Sequence, residues 1–138
     1  MPIAACSLLC SCSPTTVWKV QDTSPSGHYT ATARTLENSG PGNAWIVTSV
    51  YLEQTNIPES RMEVLGFFCK GPVPHPFTLD NAANVGGTIG LQMTWLSPTH
   101  LQVTYDGRKG KVEFQAVRFQ VIDISLKDLS ANVANPPS

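Results

Sequence analysis

An alternation of apolar with polar or small residues over positions 89–95, and again over 101–105, constrains the fold most strongly. The apolar members of this pattern are Ile89, Leu91, Met93, Trp95, Leu101, Val103 and Tyr105. Side chains two positions apart along a strand point to the same face of a sheet. The pattern therefore predicts two strands joined by the turn at Ser97-Pro98-Thr99-His100, with one face buried and the other in water.

Most of the remaining chain from residue 17 onward also predicts strands. Together with the two strands above, at 89–95 and 101–105, strands are expected at 16–20, 28–34, 45–52, 62–69, 112–116 and 119–126. Turn residues separate them at Ser24-Pro25-Ser26-Gly27 and in the loop 37–43, and a one-residue slip in the apolar phase at Val121-Ile122 predicts a β-bulge or a sharp bend. We predict an all-β fold, a single antiparallel β-sandwich or curled β-meander of about seven strands with little or no helix.

Three segments are expected along the 138 residues: a leader and spacer over 1–16, the β-domain over 17–129, and a disordered tail over 130–138. Residues 3–12 read IAACSLLCSC, ten small or apolar residues without a charge. Such a run is too short to cross a bilayer and fits the apolar part of an export signal. No Lys or Arg precedes it, so either the true start lies upstream or the segment is a disordered tail.

The end of this run resembles the lipobox of bacterial lipoproteins, in which a small residue precedes a cysteine that becomes acylated. Leu9-Cys10-Ser11-Cys12 matches at three positions, and Ile3-Ala4-Ala5-Cys6 is a second match. The resemblance implies lipidation, including palmitate, at Cys12, with Cys6 as the alternative. It implies a lipid anchor in the bacterial cell envelope, facing the periplasm; without export the protein would be cytoplasmic.

The four cysteines do not predict a disulfide framework, because three of them lie in the leader. Cys69 ends an apolar run, where a single cysteine is usually a small buried hydrophobic residue. The spacing of Cys6, Cys10 and Cys12 is not a standard zinc pattern and lacks a nearby fourth ligand. We therefore expect neither a metal nor another cofactor.

Motifs that carry chemistry are not found in the sequence. The histidines His28, His75 and His100 lie beside turns or prolines, and a shared site would require the turns to meet at one end of the sandwich. Asp123 is the one acid embedded in an apolar strand, and we expect it to face water. We predict no catalytic residues and no enzymatic activity, although a small hydrolase is not excluded.

The charge balance of 9 Lys plus Arg against 10 Asp plus Glu gives a net charge of −1. This balance excludes a polybasic nucleic-acid-binding protein. The basic residues Arg108, Lys109 and Lys111 are expected to form a solvated hairpin tip, with weak attraction to anionic lipid headgroups as the functional alternative.

Two segments resemble small, largely uncharacterised bacterial envelope proteins, many of them predicted lipoproteins. They are Trp18 with the Ser24-Pro25-Ser26-Gly27-His28-Tyr29 turn and strand 45–52, and the W-x5-L-x-V-x-Y hairpin from Trp95 to Tyr105. Ser26 stands where that pattern usually has Asp. Over residues 17–127 the resemblance implies a fold and a location, and no active site.

Together these features predict a lipid-anchored, non-enzymatic β-domain of the cell envelope that acts as a binding or accessory module. The alternative is a soluble interaction or inhibitor protein of the immunity type, which would recognise a protein partner through loops 37–44 and 70–87. Loops on a rigid sheet commonly carry recognition. The two classes differ in whether Cys12 holds the protein at a membrane.

Overall fold

The computed structural model describes residues 15–38, 45–69 and 89–130, and these residues form nine strands in two sheets. The strands are β1 (Thr15–Thr23), β2 (Tyr29–Asn38), β3 (Trp45–Gln54), β4 (Ile57–Cys69), β5 (Gln92–Ser97), β6 (His100–Tyr105), β7 (Gly110–Gln115), β8 (Arg118–Phe119) and β9 (Ile122–Asp128). One sheet has the order β1-β2-β3-β4-β7, and the other has the order β5-β6-β9-β8. The predicted leader up to residue 14 and the predicted tail from 131 lie outside the described residues.

The five-stranded sheet is antiparallel throughout, and tight turns join β1 to β2 and β3 to β4. Gly27 in the β1–β2 turn has a φ of 79°, a conformation that glycine adopts without strain. Asn56 in the β3–β4 turn has a φ of 66°, which asparagine tolerates better than most residues. The predicted turn at 24–27 is confirmed, and the predicted strands 45–52 and 62–69 pair with each other.

The four-stranded sheet contains one parallel pair, β6 with β9, where the sequence predicted antiparallel neighbours. The parallel pair arises because the chain turns at 106–109 after β6 and enters β7, which pairs with β4 of the other sheet. The chain returns through β8 and reverses at Gln120-Val121, so β9 runs in the direction of β6. An alternation of apolar residues specifies a buried face and not the neighbouring strand, so the sequence did not reveal this crossover.

The inner faces of the two sheets share one hydrophobic core. Phe67 of the first sheet packs against Tyr105 of the second with ring centroids 4.9 Å apart, and Tyr29 meets Phe119 edge to face at 6.2 Å. Fully buried members include Val50, Leu52, Val64, Leu65, Leu101, Val103 and Ile122. The predicted all-β, sandwich-like fold is confirmed.

Several boundaries differ from the prediction. The predicted strand 119–126 is two strands, because the bend at Val121 is a tight turn in which Gln120 has a φ of 53°. Ile89 and Leu91 are buried but precede β5, and β2 extends into the predicted loop as far as Asn38. The division of 119–126 adds one strand, and the described residues contain nine strands where about seven were predicted.

Trp95 was expected on the buried face, and it is half-buried beside the core. Its indole Nε1 donates a 3.3 Å hydrogen bond to the carbonyl oxygen of Asp22 on β1. The ring therefore closes one side of the sandwich and does not fill its centre.

Candidate functional site

The part of the four-stranded sheet's outer face that lies on β6 and β9 is polar, as a water-facing sheet normally is. On β6 and β9 its members are His100, Gln102, Thr104, Asp123, Ser125 and Lys127. Inward-facing residues such as Leu101 and Ile124 alternate with them. The outer face of the five-stranded sheet contrasts with this polar face.

The outer face of the five-stranded sheet carries an apolar strip instead. Leu36, Val47 and Phe68 lie side by side on β2, β3 and β4, because Leu36 pairs with Val47 and Val47 with Phe68. Phe114 of β7 pairs with Gly66 and covers it, with the Phe114 Cβ 3.7 Å from the position of a Cβ on that glycine. Phe68 is 44% exposed and Phe114 is 46% exposed. We call these four residues the outer apolar strip.

Two arginines flank a tyrosine beside this strip. The Arg34 guanidinium carbon lies 5.0 Å from the ring centroid of Tyr51, and that of Arg61 lies 5.9 Å from it. Arg34 Nη2 also donates a 3.3 Å hydrogen bond to the Tyr51 hydroxyl. Lys19 of β1 pairs in register with Arg34 of β2. Lys19, Arg34 and Arg61 form what we call the cationic cluster.

The charges of this cluster are neutralised unequally. Arg61 Nε lies 3.0 Å from Glu53 Oε1, whereas neither Arg34 nor Lys19 forms an ion pair within the described residues. Arg34 Nε is buried and has no hydrogen-bond partner in this part of the chain. Buried polar groups without partners are uncommon and call for an explanation.

The two loops in which recognition was expected attach beside the outer apolar strip. The loop 37–44 spans the end of β2 and the start of β3, where Asn38 pairs with Trp45. The loop 70–87 follows Cys69 at the end of β4, next to Phe68. Residues 39–44 and 70–88 lie outside the described residues, but their attachment points share one end of the sheet.

A shallow depression of about 390 Å³ lies at the opposite end of the sheet. It is lined by Gly27, His28, Tyr29, Gln54, Thr55, Asn56 and Ile57. Beside it, Gln120 Oε1 accepts hydrogen bonds from the Tyr29 hydroxyl at 3.2 Å and from Gln54 Nε2 at 2.9 Å. These bonds tie the β8–β9 turn to the other sheet, so we assign this region a structural role.

The histidines occupy different environments. His28 is exposed at the β1–β2 turn, whereas His100 Nε2 lies 2.9 Å from Ser125 Oγ on the polar outer face. His75 lies outside the described residues. No group of three or more His, Cys, Asp or Glu side chains able to hold a metal is found within residues 15–38, 45–69 and 89–130.

The basic hairpin tip is partly neutralised. Arg108 forms an ion pair with Asp106, with Nη2 2.9 Å from Oδ2, and Lys109 and Lys111 are exposed. The hydrogen bonds from Arg108 lower the pKa of Asp106 to about 2. Asp123, expected to face water, is exposed and pairs with Arg118 at 2.9 Å.

The proposed lipidation sites Cys12 and Cys6 lie outside the described residues. Cys69 is buried, as expected, and its Sγ lies 3.2 Å from the Thr48 hydroxyl. Within the described ranges, no helix has the length and apolar character needed to cross a membrane.

Sequence reasoning missed the cationic cluster and the outer apolar strip. Phe68 belongs to the apolar run 64–69, which is compatible with burial on both faces. Arg34 and Tyr51 are 17 residues apart, and only the strand register brings them together.

Comparison of the chain with protein-family models, with curated proteins and with solved structures finds no match.

Proposed function

We propose that this protein is a non-enzymatic binding module held at a bacterial cell envelope by a lipid on Cys12. The anchor is supported by the uncharged run 3–12, by the lipobox-like Leu9-Cys10-Ser11-Cys12 and by the resemblance to envelope proteins. One acyl chain binds a membrane only marginally. Stable attachment therefore requires the two or three chains of a fully modified lipoprotein cysteine.

The contrast between the two outer faces carries the binding part of the proposal. The face on β6 and β9 is polar, whereas the outer apolar strip leaves two phenylalanines nearly half exposed. Both faces belong to one small domain, so general composition does not explain the difference. Contiguous apolar surface beside Arg and Tyr side chains is characteristic of protein-binding sites.

The soluble interaction protein is the second candidate, and one observation favours it. Loops 37–44 and 70–87 attach at the end of the sheet where Phe68 lies, so loops and strip could contact one partner together. This candidate uses the same surface and lacks the anchor. The state of Cys12 distinguishes the two.

Fractionation of the full chain, expressed from its natural start in its own host, tests the anchor. We expect the native protein in the membrane fraction with the mass of an acylated cysteine, and Cys12→Ser in the soluble fraction. Cys6→Ser is the matched control, expected to behave like the native protein. Identical fractionation of all three proteins, without added lipid mass, would contradict the anchor.

A native gel of gently solubilised membranes tests the binding face. We expect the native protein to migrate in a complex that the double substitution Phe68→Ser/Phe114→Ser dissociates. Leu96→Ser, which changes a leucine that is 52% exposed on the other sheet, is the control and should leave the complex intact. Equal migration of the native and the double-substituted protein would contradict the assignment.

A further inference from the structure

Two arginines of the cationic cluster share one tyrosine ring. Arg34 and Arg61 both lie over Tyr51, at 5.0 and 5.9 Å from the ring centroid. Glu53 supplies Arg61 with a carboxylate at 3.0 Å, and no described residue supplies one to Arg34. These two guanidiniums over the same ring differ in the presence of a counter-ion, and Arg61 is also the more exposed of the two.

The Arg34 guanidinium lacks the acceptors that its partly buried position requires. Its Nε is buried without a hydrogen-bond partner, and Nη2 donates only a long 3.3 Å bond to the Tyr51 hydroxyl. Withdrawing a charged donor from water is unfavourable unless an acceptor replaces the water. A carboxylate is the acceptor whose planar, two-oxygen geometry matches a guanidinium, and a partner's carboxylate would bond to the terminal Nη atoms because Nε is buried.

The apolar strip begins next to Arg34 on the same face. Leu36 is two residues further along β2 and pairs with Val47, which pairs with Phe68. Neighbouring strands are about 4.8 Å apart, so a carboxylate on Arg34 and an apolar side chain on the strip can come from one short segment of a partner.

A discrete carboxylate fits this face better than an anionic membrane does. Glu53 and Glu63 lie on the same outer face as the cationic cluster and Lys111, which pairs in register with Phe68, and Glu63 Oε2 lies 3.0 Å from the position of a Cβ on Gly66. A continuous layer of lipid phosphates would meet these carboxylates as well as the cations. A protein segment can place its negative charge at Arg34 alone.

We infer that the outer face binds an acidic segment of a partner protein, with a carboxylate on Arg34 and an adjacent apolar side chain on Leu36, Val47 and Phe68. The inference rests on the proposed function, in which this face is the binding surface. It adds the chemistry of the partner.

Titration of the full chain, carrying Cys12→Ser to keep it soluble, with three matched peptides tests the inference. The peptides have blocked ends and alternate Phe or Leu with Glu, Gln or Lys. We expect the Glu peptide to bind at least about tenfold more tightly than the Gln peptide and the Lys peptide to bind most weakly. In ¹H–¹⁵N spectra, the Glu peptide should shift the Arg34 Nε–H signal.

Arg34→Gln should abolish the preference for Glu over Gln and leave weak binding of both. Arg61→Gln is the matched control and should retain the preference, because Arg61 already has Glu53. Arg34→Lys keeps the positive charge but lacks the parallel N–H donors of a guanidinium, so it should retain part of the preference for Glu. It also replaces Arg34→Gln in the experiment if Arg34→Gln does not fold.

Equal affinity of the native protein for the Glu and Gln peptides, or tighter binding of the Lys peptide, would overturn the inference while leaving the face as a binding surface. Peptide binding that Phe68→Ser/Phe114→Ser does not weaken would overturn the face itself. Binding to phosphatidylglycerol vesicles that depends on Arg34, or a dimer that Arg34→Gln dissociates, would replace the acidic protein partner with a membrane or a second copy.

Discussion

The backbone N–H of Gly107 donates a 2.8 Å hydrogen bond to Oδ1 of Asp128, 21 residues further along the chain. The same oxygen accepts hydrogen bonds from the N–H and the hydroxyl of Ser130, at 2.9 and 2.6 Å. The β6–β7 turn is thereby fastened to the end of β9. Ser130, assigned to the tail on sequence grounds, is buried and takes part in this fastening.

Gly107→Ala tests how closely the turn and the strand fit. A Cβ at this position would overlap with the Asp128 carboxylate, so we expect a loss of about 1–3 kcal/mol in the free energy of unfolding, the usual cost of overpacking. Urea unfolding measures it. In an Asp128→Ala background the added methyl group should cost less; the same cost in both backgrounds would show that Asp128 is not the obstacle.

Acid should weaken the fold through Asp106 and Asp128. Hydrogen bonds from the Arg108 side chain lower the pKa of Asp106 to about 2, and the Ser130 hydroxyl lowers the pKa of Asp128. A carboxyl group with a lowered pKa in the folded state stabilises the protein above its unfolded pKa of 3.8. That contribution is lost as the pH falls toward about 2.

Thermal unfolding between pH 6 and pH 2.5 measures this effect. The Tm of the native protein should fall within that range, and the fall should be smaller for Asp106→Asn/Asp128→Asn, which cannot titrate at these positions. Asp123→Asn is the control, since Asp123 is an exposed acid outside the turn. A fall of equal size in the native and the double-substituted protein would assign the acid sensitivity to other groups.

A buried pair of hydroxyls lies side by side on the neighbouring strands β2 and β3. Thr35 and Thr48 are fully buried, with their Oγ1 atoms 2.7 Å apart. Thr48→Val removes one partner and leaves the Thr35 hydroxyl without it, at a cost of about 1–3 kcal/mol. Thr35→Val/Thr48→Val removes both and should cost less than Thr48→Val alone in chemical denaturation. A double substitution that costs the sum of two large losses would refute this.

The contact between His100 and Ser125 resembles a nucleophile and its base, at 2.9 Å. This pair lies on the polar outer face of the four-stranded sheet, outside the depression lined by residues 27–29 and 54–57. We therefore predict that a fluorophosphonate does not label Ser125 and that Ser125→Ala leaves the slow hydrolysis of p-nitrophenyl acetate unchanged. Stoichiometric labelling of Ser125 that His100→Ala abolishes would instead establish a hydrolase.

The sequence predicts the faces of strands well and their neighbours poorly. The alternation at Leu101, Val103 and Tyr105 correctly identifies the buried face of β6, and the slip at Val121 correctly locates a bend. The crossover of β7 and the parallel β6–β9 pair leave no local signal, because each depends on which strands meet after the chain collapses.

The candidate site was harder to predict for the same reason. Arg34 and Tyr51 come together through the β2–β3 register, and Phe114 reaches Gly66 through the β4–β7 pairing. The apolar run 64–69 predicts a buried strand, but it does not show that Phe68 would be left on an outer face.

Site-specific photocrosslinking in the native host tests whether the outer apolar strip is a binding surface. A photoreactive phenylalanine analogue replaces Phe114, which is 46% exposed, and in a second strain it replaces Gln102 on the polar outer face of the other sheet. We expect one discrete protein adduct from position 114, none from position 102, and loss of the adduct when Arg34→Gln is added. No adduct from position 114, or the same adducts from both positions, would show that the strip is not the binding surface.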